Sequence, residues 1–294
     1  MRIRRYARLA FLIPAGAYVL FAFAIPVIYN LILSFEQTTP ATIASLFAPF
    51  AGLSNYKFTF LQATTQSAII RTFTFTIASL FFQFVIGFGL ALLFNLRFPL
   101  NRFARSLIIV PWLLPFLVTG FIFRFLFQFE AGAVNQFLQD LHLISHPIGY
   151  LLSPGWAYVT VLITNVWLGV PFFTVLLYSA LQDVPPELRE AAMIDGASGW
   201  KTLIRVTLPV IRPVIEVVFV LGFVFTVKVF DIVISLTQGG PANSTQLIAT
   251  WAYNLSFQQF DYGAGAAVNT VLLVIALLVA PIYIRLNRAS LREA

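Results

Sequence analysis

Residues 182–213 read QDVPPELREAAMIDGASGWKTLIRVTLPVIRP, the longest charged interval in a chain that is otherwise close to continuous hydrocarbon. Start and stop signals divide it into two short helices. Asp183 is an N-cap candidate ahead of Pro185 and Pro186, Glu187 and Glu190 sit in the first turns where the helix dipole favours negative charge, and Gly196 can close the helix in a left-handed turn. Ser198 caps a second helix through Trp200, Leu203 and Ile204, which Pro209 is expected to break. Such an element, with Ala191, Ala192, Ile194, Trp200 and Leu203 among its charges, either caps its own bundle or lays an apolar stripe into a groove on a partner.

The flanks show what the element is attached to. Of 294 residues 60% are hydrophobic and 10% charged, with 32 Phe; in a soluble domain about a quarter are charged. Six apolar runs, at about 9–35, 68–94, 106–127, 156–181, 214–236 and 263–286, are each long enough to cross a bilayer core, which takes about 20 helical residues. The expected fold is therefore all-α: a polytopic membrane protein with six transmembrane helices, in one domain over residues 1–294. Fourteen of the 18 Lys and Arg lie at the two ends, in 97–105 and in 182–213, all on one side if every run crosses. Lys57 alone occupies the alternate loops, and Arg71, Arg124 and Lys228 lie within or beside spans. The positive-inside rule then puts both termini and residues 182–213 in the cytoplasm. The Arg-rich start and Ala22-Phe23-Ala24 mimic a signal peptide with its cleavage site, but the apolar run continues to Phe35, so an uncleaved first span is expected. Without Cys there is no disulfide, thiolate metal site or cysteine nucleophile. The basic residues are dispersed in short groups between apolar runs, which argues against nucleic acid.

Polar residues inside the spans are the next candidates. Gln83, Gly87 and Gly89 in the second span suggest close helix packing. The third span, with Pro111, Pro115 and Gly120, is expected to bend, and Arg124 near its outer end to snorkel. Lys228 and Asp231 at i, i+3 are expected on neighbouring positions of one helical face, turned from lipid, because an ionised Lys at a helix centre costs about 2.5–3.5 kcal/mol to insert. Asn165, Trp167, Lys228, Asp231 and Asn269 are the candidate lining of a polar pathway. His142 and His146 share a helical spacing suited to zinc, without an evident third ligand. Asn243-Ser244-Thr245 and Asn254-Leu255-Ser256 are formal sequons.

Glu190-Ala191-Ala192, Asp195-Gly196 and Leu208-Pro209 together carry E-A-A-x-x-x-G with a downstream L-P, and this resembles the EAA loop of bacterial ABC importer permeases. The fuller P-x-E-L-x-E-A-A-x-I-D-G-A over 185–197 is similar to the carbohydrate (maltose and glycerol-phosphate) branch. Gly52-Leu53-Ser54-Asn55-Tyr56 and the K-V-F-D of 228–231, followed by Leu236-Thr237 and Gly239-Gly240-Pro241, resemble phrases of the same family. The resemblance implies a type I importer permease fold with 182–213 as the coupling loop. Glu190, Ala191, Ala192, Asp195 and Gly196 would then be the motif that docks on a separate ATPase. It implies no catalytic or metal-binding residue in this chain, ATP and Mg on the ATPase, and a carbohydrate substrate. The implied partners are a second homologous permease subunit, two ATPase subunits and an extracytoplasmic solute-binding protein, assembled in the bacterial inner membrane. No Lys follows a Gly, so the chain has no Walker A loop of its own. The competing readings are an ion-coupled secondary transporter or channel that uses Lys228 and Asp231 as its relay, and a membrane-embedded enzyme, which requires convergent catalytic groups.

Overall fold

A computed structural model describes the backbone of residues 12–42 and 48–293. The N-terminal arginines and the start of the first predicted span lie outside the described residues, as do the side chains of the C-terminal arginines. The described residues form α-helices with a single isolated β-bridge, Glu36 to Phe50, and no strand. In chain order the helices are α1 Ile13–Ser34, α2 Ser54–Leu61, α3 Ala63–Asn95, α4 Asn101–Leu113, α5 Phe116–Leu126 and α6 Ala133–Asp140. There follow α7 Pro154–Gln182, α8 Pro186–Ile194, α9 Gly199–Val227, α10 Asp231–Leu236, α11 Ile248–Tyr253 and α12 Tyr262–Glu293.

Four of these, α1, α3, α7 and α9, are long and apolar enough to cross a membrane, and a fifth span results if α4 and α5 are taken together. The all-α fold is as expected, and the described residues alone account for four or five of the six expected spans on length and composition. Two of the predicted spans are interrupted. The third is broken at Leu114, where α4 and α5 meet at 100° and Pro115 opens the second helix. The fifth ends at Val227 and restarts at Asp231. The sixth falls within α12, whose apolar stretch among the described residues is Tyr262–Leu278.

Proline does not end α9 as the sequence suggested. Leu203–Thr207 forms a widened turn in which Leu208 N–H donates to Leu203 O, five residues back, immediately before Pro209. α1 repeats the device: Leu20–Ala24 is widened, and Ile25 N–H donates to Leu20 O just before Pro26. A proline ring strikes the carbonyl four residues back in a regular helix, and one extra residue in the preceding turn relieves that clash.

The described helices group into two compact units. The smaller joins the residues up to Gln66 with Trp251–Leu273. Within it Asn30 donates to Thr270 Oγ1 at 3.1 Å and accepts from Asn269 Nδ2 at 3.1 Å, tying α1 to α12. Trp251 Nε1 donates to Thr65 Oγ1 at 2.8 Å.

The larger unit, Ser67–Thr250 with the residues from Val274 on, holds two apolar cores. One gathers Phe75, Phe123, Leu168, Ile232 and Leu236; the other gathers Leu80, Phe173, Leu177, Ile211 and Val218. Close helix approach depends on missing side chains. A Cβ on Gly120 of α5 would come within 1.7 Å of Ser235 Oγ on α10, one on Gly222 of α9 within 2.7 Å of Phe173 Cζ, and one on Gly87 within 2.6 Å of Phe173 Cβ. Gly87 thus has the packing role expected of it, while Gly89 has open space beside it.

Candidate functional site

The charged stretch folds as two helices around a tight elbow. α8 ends in a Schellman motif: Gly196, at φ +76°, donates to Met193 O at 3.0 Å, and Ala197 donates to Ala192 O at 2.9 Å. Ser198 then caps α9, its Oγ accepting from Lys201 N. Asp183 does not begin α8. It closes α7, donating through its backbone to Ser179 O at 3.2 Å, and Pro185 takes the N-cap position in an extended conformation. The reason is that α7 continues one residue beyond its apolar run, to Gln182, so Asp183, which could cap the next helix, becomes the C-cap of the previous one.

Of the five motif residues, Glu190, Ala191, Asp195 and Gly196 are exposed and Ala192 is half-buried. Their apolar neighbours are exposed too, Ile194 at 86%, Trp200 at 69% and Met193 at 62%. The elbow therefore presents its apolar side chains outward and does not fold them onto its own bundle. α8 is fastened to α7 from below by Arg189, whose NH2 donates to Leu181 O at 2.6 Å.

A cavity of about 260 Å³ lies in the larger unit, between α3, α4, α5, α7, α9 and the 228–231 break. Asn165, Lys228 and Asp231 line it. Buried Asn165 is held by a polar seam: its Nδ2 donates to Ser79 Oγ at 2.9 Å, and its backbone carbonyl accepts from Gln83 Nε2 at 3.1 Å. Gly169, one turn on, leaves the space that Gln83 fills. Lys228 lies 5.8 Å from the centre of the Phe225 ring, near enough for the ring face to attract its ammonium.

The expected face shared by Lys228 and Asp231 is not formed. α9 stops before one and α10 starts at the other, and among the described residues the one ion pair is Arg212 with Glu216, at 2.8 Å. Non-helical backbone is tolerated at membrane depth where it lines a cavity, and the break at 228–230 does so.

Trp167 and Asn269 do not line this cavity. Trp167 is two residues from Asn165, about 200° round the helix, and packs against the Phe123 ring, tilted to it, with the ring centres 5.3 Å apart. Asn269 belongs to the smaller unit and binds Asn30. What the sequence left unmarked are the aromatic walls, Trp112, Phe172, Phe225 and Phe230, together with Thr226, while Gln83, read there as a packing residue, also lines the cavity. Among 32 Phe, a cavity-facing ring carries no local signal that separates it from a lipid-facing one. His142 follows α6 at φ +58°, so it does not share a helical face with His146, and no metal-binding group occurs among the described residues.

Comparison with known proteins fits this geometry. The family described as binding-protein-dependent transport system inner membrane component matches residues 83–292, which take in the cavity and the elbow. A trehalose/maltose transport system permease protein of Thermococcus litoralis is 31% identical over 240 residues, 82% of this chain and 80% of that one. A sulfoquinovosyl glycerol transport system permease protein of Agrobacterium fabrum is 32% identical over 247 residues, 83% and 78% of the two chains. Among solved structures, a chain of a bacterial alginate ABC transporter, in complex with a periplasmic protein bound to an alginate pentasaccharide, superposes with a TM-score of 0.80 at 25% identity, covering 99% of this chain and 96% of that one.

Proposed function

Because the chain belongs to the family of binding-protein-dependent transport system inner membrane components, we propose that it supplies half of the membrane pathway of an ATP-driven carbohydrate importer. The relatives named above move sugars or a sugar glycoside by their descriptions, and the cavity has the chemistry such a cargo needs. Its aromatic faces suit the apolar faces of sugar rings, and Gln83, Asn165, Thr226, Lys228 and Asp231 supply donors and acceptors. At about 260 Å³ it falls just below the roughly 300–1,000 Å³ of complete small-molecule pockets. That suits a route whose other wall belongs to a second, homologous permease subunit.

The observation that carries the reading is the outward-facing elbow. Ile194, Met193 and Trp200 stand exposed beside Glu190 and Asp195, which suits a groove on a cytoplasmic ATPase with apolar walls and basic rims. Two such ATPases, carrying ATP and Mg, would draw the elbows together as they close. A solute-binding protein on the far side would deliver the sugar. α8 and α9 transmit the movement because α9 runs unbroken from the elbow to Lys228 at the cavity wall. Both termini and the elbow lie in the cytoplasm on this reading.

The test is reconstitution of this chain with the second permease and the ATPases in proteoliposomes, with radiolabelled saccharides presented on the binding protein. Accumulation that requires internal ATP supports the reading. Accumulation with the ATPases omitted favours the ion-coupled alternative instead.

A further inference from the structure

The end of α7 nearest α8 collects positive charge that, among the described residues, no carboxylate pairs with. Arg105, on α4, donates through NH1 to the Tyr178 hydroxyl and lies with its guanidinium carbon 5.0 Å from the centre of that ring. Arg189, on α8, is bonded to Leu181 O. Tyr178 and Leu181 are three residues apart on one helix, so both guanidinium groups are anchored within a single turn. In each, the Nε–H is buried with no acceptor. Arg102, one turn before Arg105, is exposed, and Asp183, Glu187 and Glu190 nearby form no ion pair with any of the three.

Beside this charge runs an apolar strip. Phe103, Leu107 and Val110 recur at i, i+4 and i+7 along α4 and are 61%, 53% and 47% exposed. Arg102 lies about 100° round the helix from Phe103, so one flank of α4 is basic and the next is hydrocarbon. The 100° angle between α4 and α5 means that both cannot follow the membrane normal. The amphipathic part is the start of α4, where Arg102 and Arg105 stand, and a basic amphipathic turn sits at a bilayer surface, while Trp112 at the other end of α4 lines the cavity.

We propose that this corner binds the phosphate of an anionic phospholipid. Exposed Arg102 takes the headgroup oxygens beside the unneutralised charge of Arg105 and Arg189, and the acyl chains lie along Phe103, Leu107 and Val110. A phosphate there offsets the positive charge of all three arginines and takes a charge-assisted bond from Arg102. Arg189 precedes Glu190, so an occupied site steadies α8 against α7; this link to coupling rests on the function proposed above.

The experiment uses the intact permease–ATPase complex with spin-labelled phosphatidylglycerol and phosphatidylcholine, reading the motionally restricted fraction of each. The wild type is expected to prefer phosphatidylglycerol, with the preference falling about fivefold for each arginine neutralised, in Arg102→Gln and in Arg102→Gln with Arg189→Gln. Arg189→Lys should keep most of it. Arg102→Gln removes no bond within the chain, so it remains informative if the double variant fails to fold. Equal retention of the two lipids by the wild type, or an unchanged preference in Arg102→Gln, overturns the site. So does displacement of the lipid by millimolar inorganic phosphate, which would mark a soluble anion as the ligand. A cross-link from Leu107→Cys into the second permease would put protein over the strip and likewise overturn it. ATP-driven uptake is followed in the same samples. Lost lipid preference with intact uptake removes the lipid site and leaves the importer, whereas no ATP-driven uptake in any lipid removes the importer.

Discussion

Gly196 holds a backbone that an L side chain rarely adopts, at φ +76°, yet nothing lies within 4 Å of where its Cβ would be. Substitution there tests conformation alone. Gly196→Ala is expected to cost about 1–2 kcal/mol, the left-handed penalty, and to speed amide exchange at Gly196 and Ala197 while partly lowering ATP-coupled uptake. Gly196→Pro forbids the turn and deletes the N–H bonded to Met193 O, so uptake should vanish while membrane insertion is kept. Normal uptake by the proline variant would sink the docking role. Gly120 presents the opposite case, with a permissive backbone and no room. Gly120→Ala would drive a methyl to within 1.7 Å of Ser235 Oγ, costing about 1–3 kcal/mol as overpacking does. Combined with Ser235→Ala it should be partly rescued, because the hydroxyl is the nearest obstacle although Ser235 Cβ remains at 2.8 Å. Additive melting shifts in the four-way cycle would show that the two residues do not meet.

At the scale of elements, α8 is the place where exposure decides. Ile194 is 86% exposed, so Ile194→Glu should leave thermal stability within about 0.5 kcal/mol yet reduce copurification of the ATPase. An unstable variant, or one that retains the ATPase in full, contradicts a docking face at this position. The elbow was legible in sequence because its signals are local: Gly196 and Ser198 act within four residues of themselves. Asp183 was misread because whether α7 stops at Leu181 or one residue later, with Asp183 as its C-cap, is settled by its own last turn. Pro209 was misread because one widened turn upstream reconciles proline with a continuing helix, and nothing in the residue types Leu203–Thr207 announces it. The break at 228–230 was hidden for a third reason. Val227, Val229 and Phe230 look like any apolar helix, and only a cavity beside them makes a non-helical backbone tolerable. The cavity-lining residues divide the same way. Asn165, Lys228 and Asp231 were found by their cost in hydrocarbon, whereas the aromatic walls carry no such cost and could not be singled out.

For the molecule as a whole, the question is what drives the cargo, and Lys228 with Asp231 is where the two main answers part. As an ion relay the two would exchange a proton or cation across the cavity, and neutralising either would abolish uptake. As part of a sugar route they offer one donor and one acceptor, and each loss removes a charged hydrogen bond worth about 1.5–3 kcal/mol, roughly ten- to hundredfold in affinity. The geometry favours the second role, because the helix break separates the two residues, each faces the cavity, and no ion pair joins them. Lys228→Ala and Asp231→Asn are therefore expected to alter sugar selectivity and raise KM while leaving ATP hydrolysis stimulated by the loaded binding protein. In ATP-loaded proteoliposomes, uptake by the wild type should persist when a protonophore and a cation ionophore collapse every gradient. Transport that stops with the gradients, together with complete loss in both variants, would make these two residues the motor and leave the exposed elbow without its assigned work.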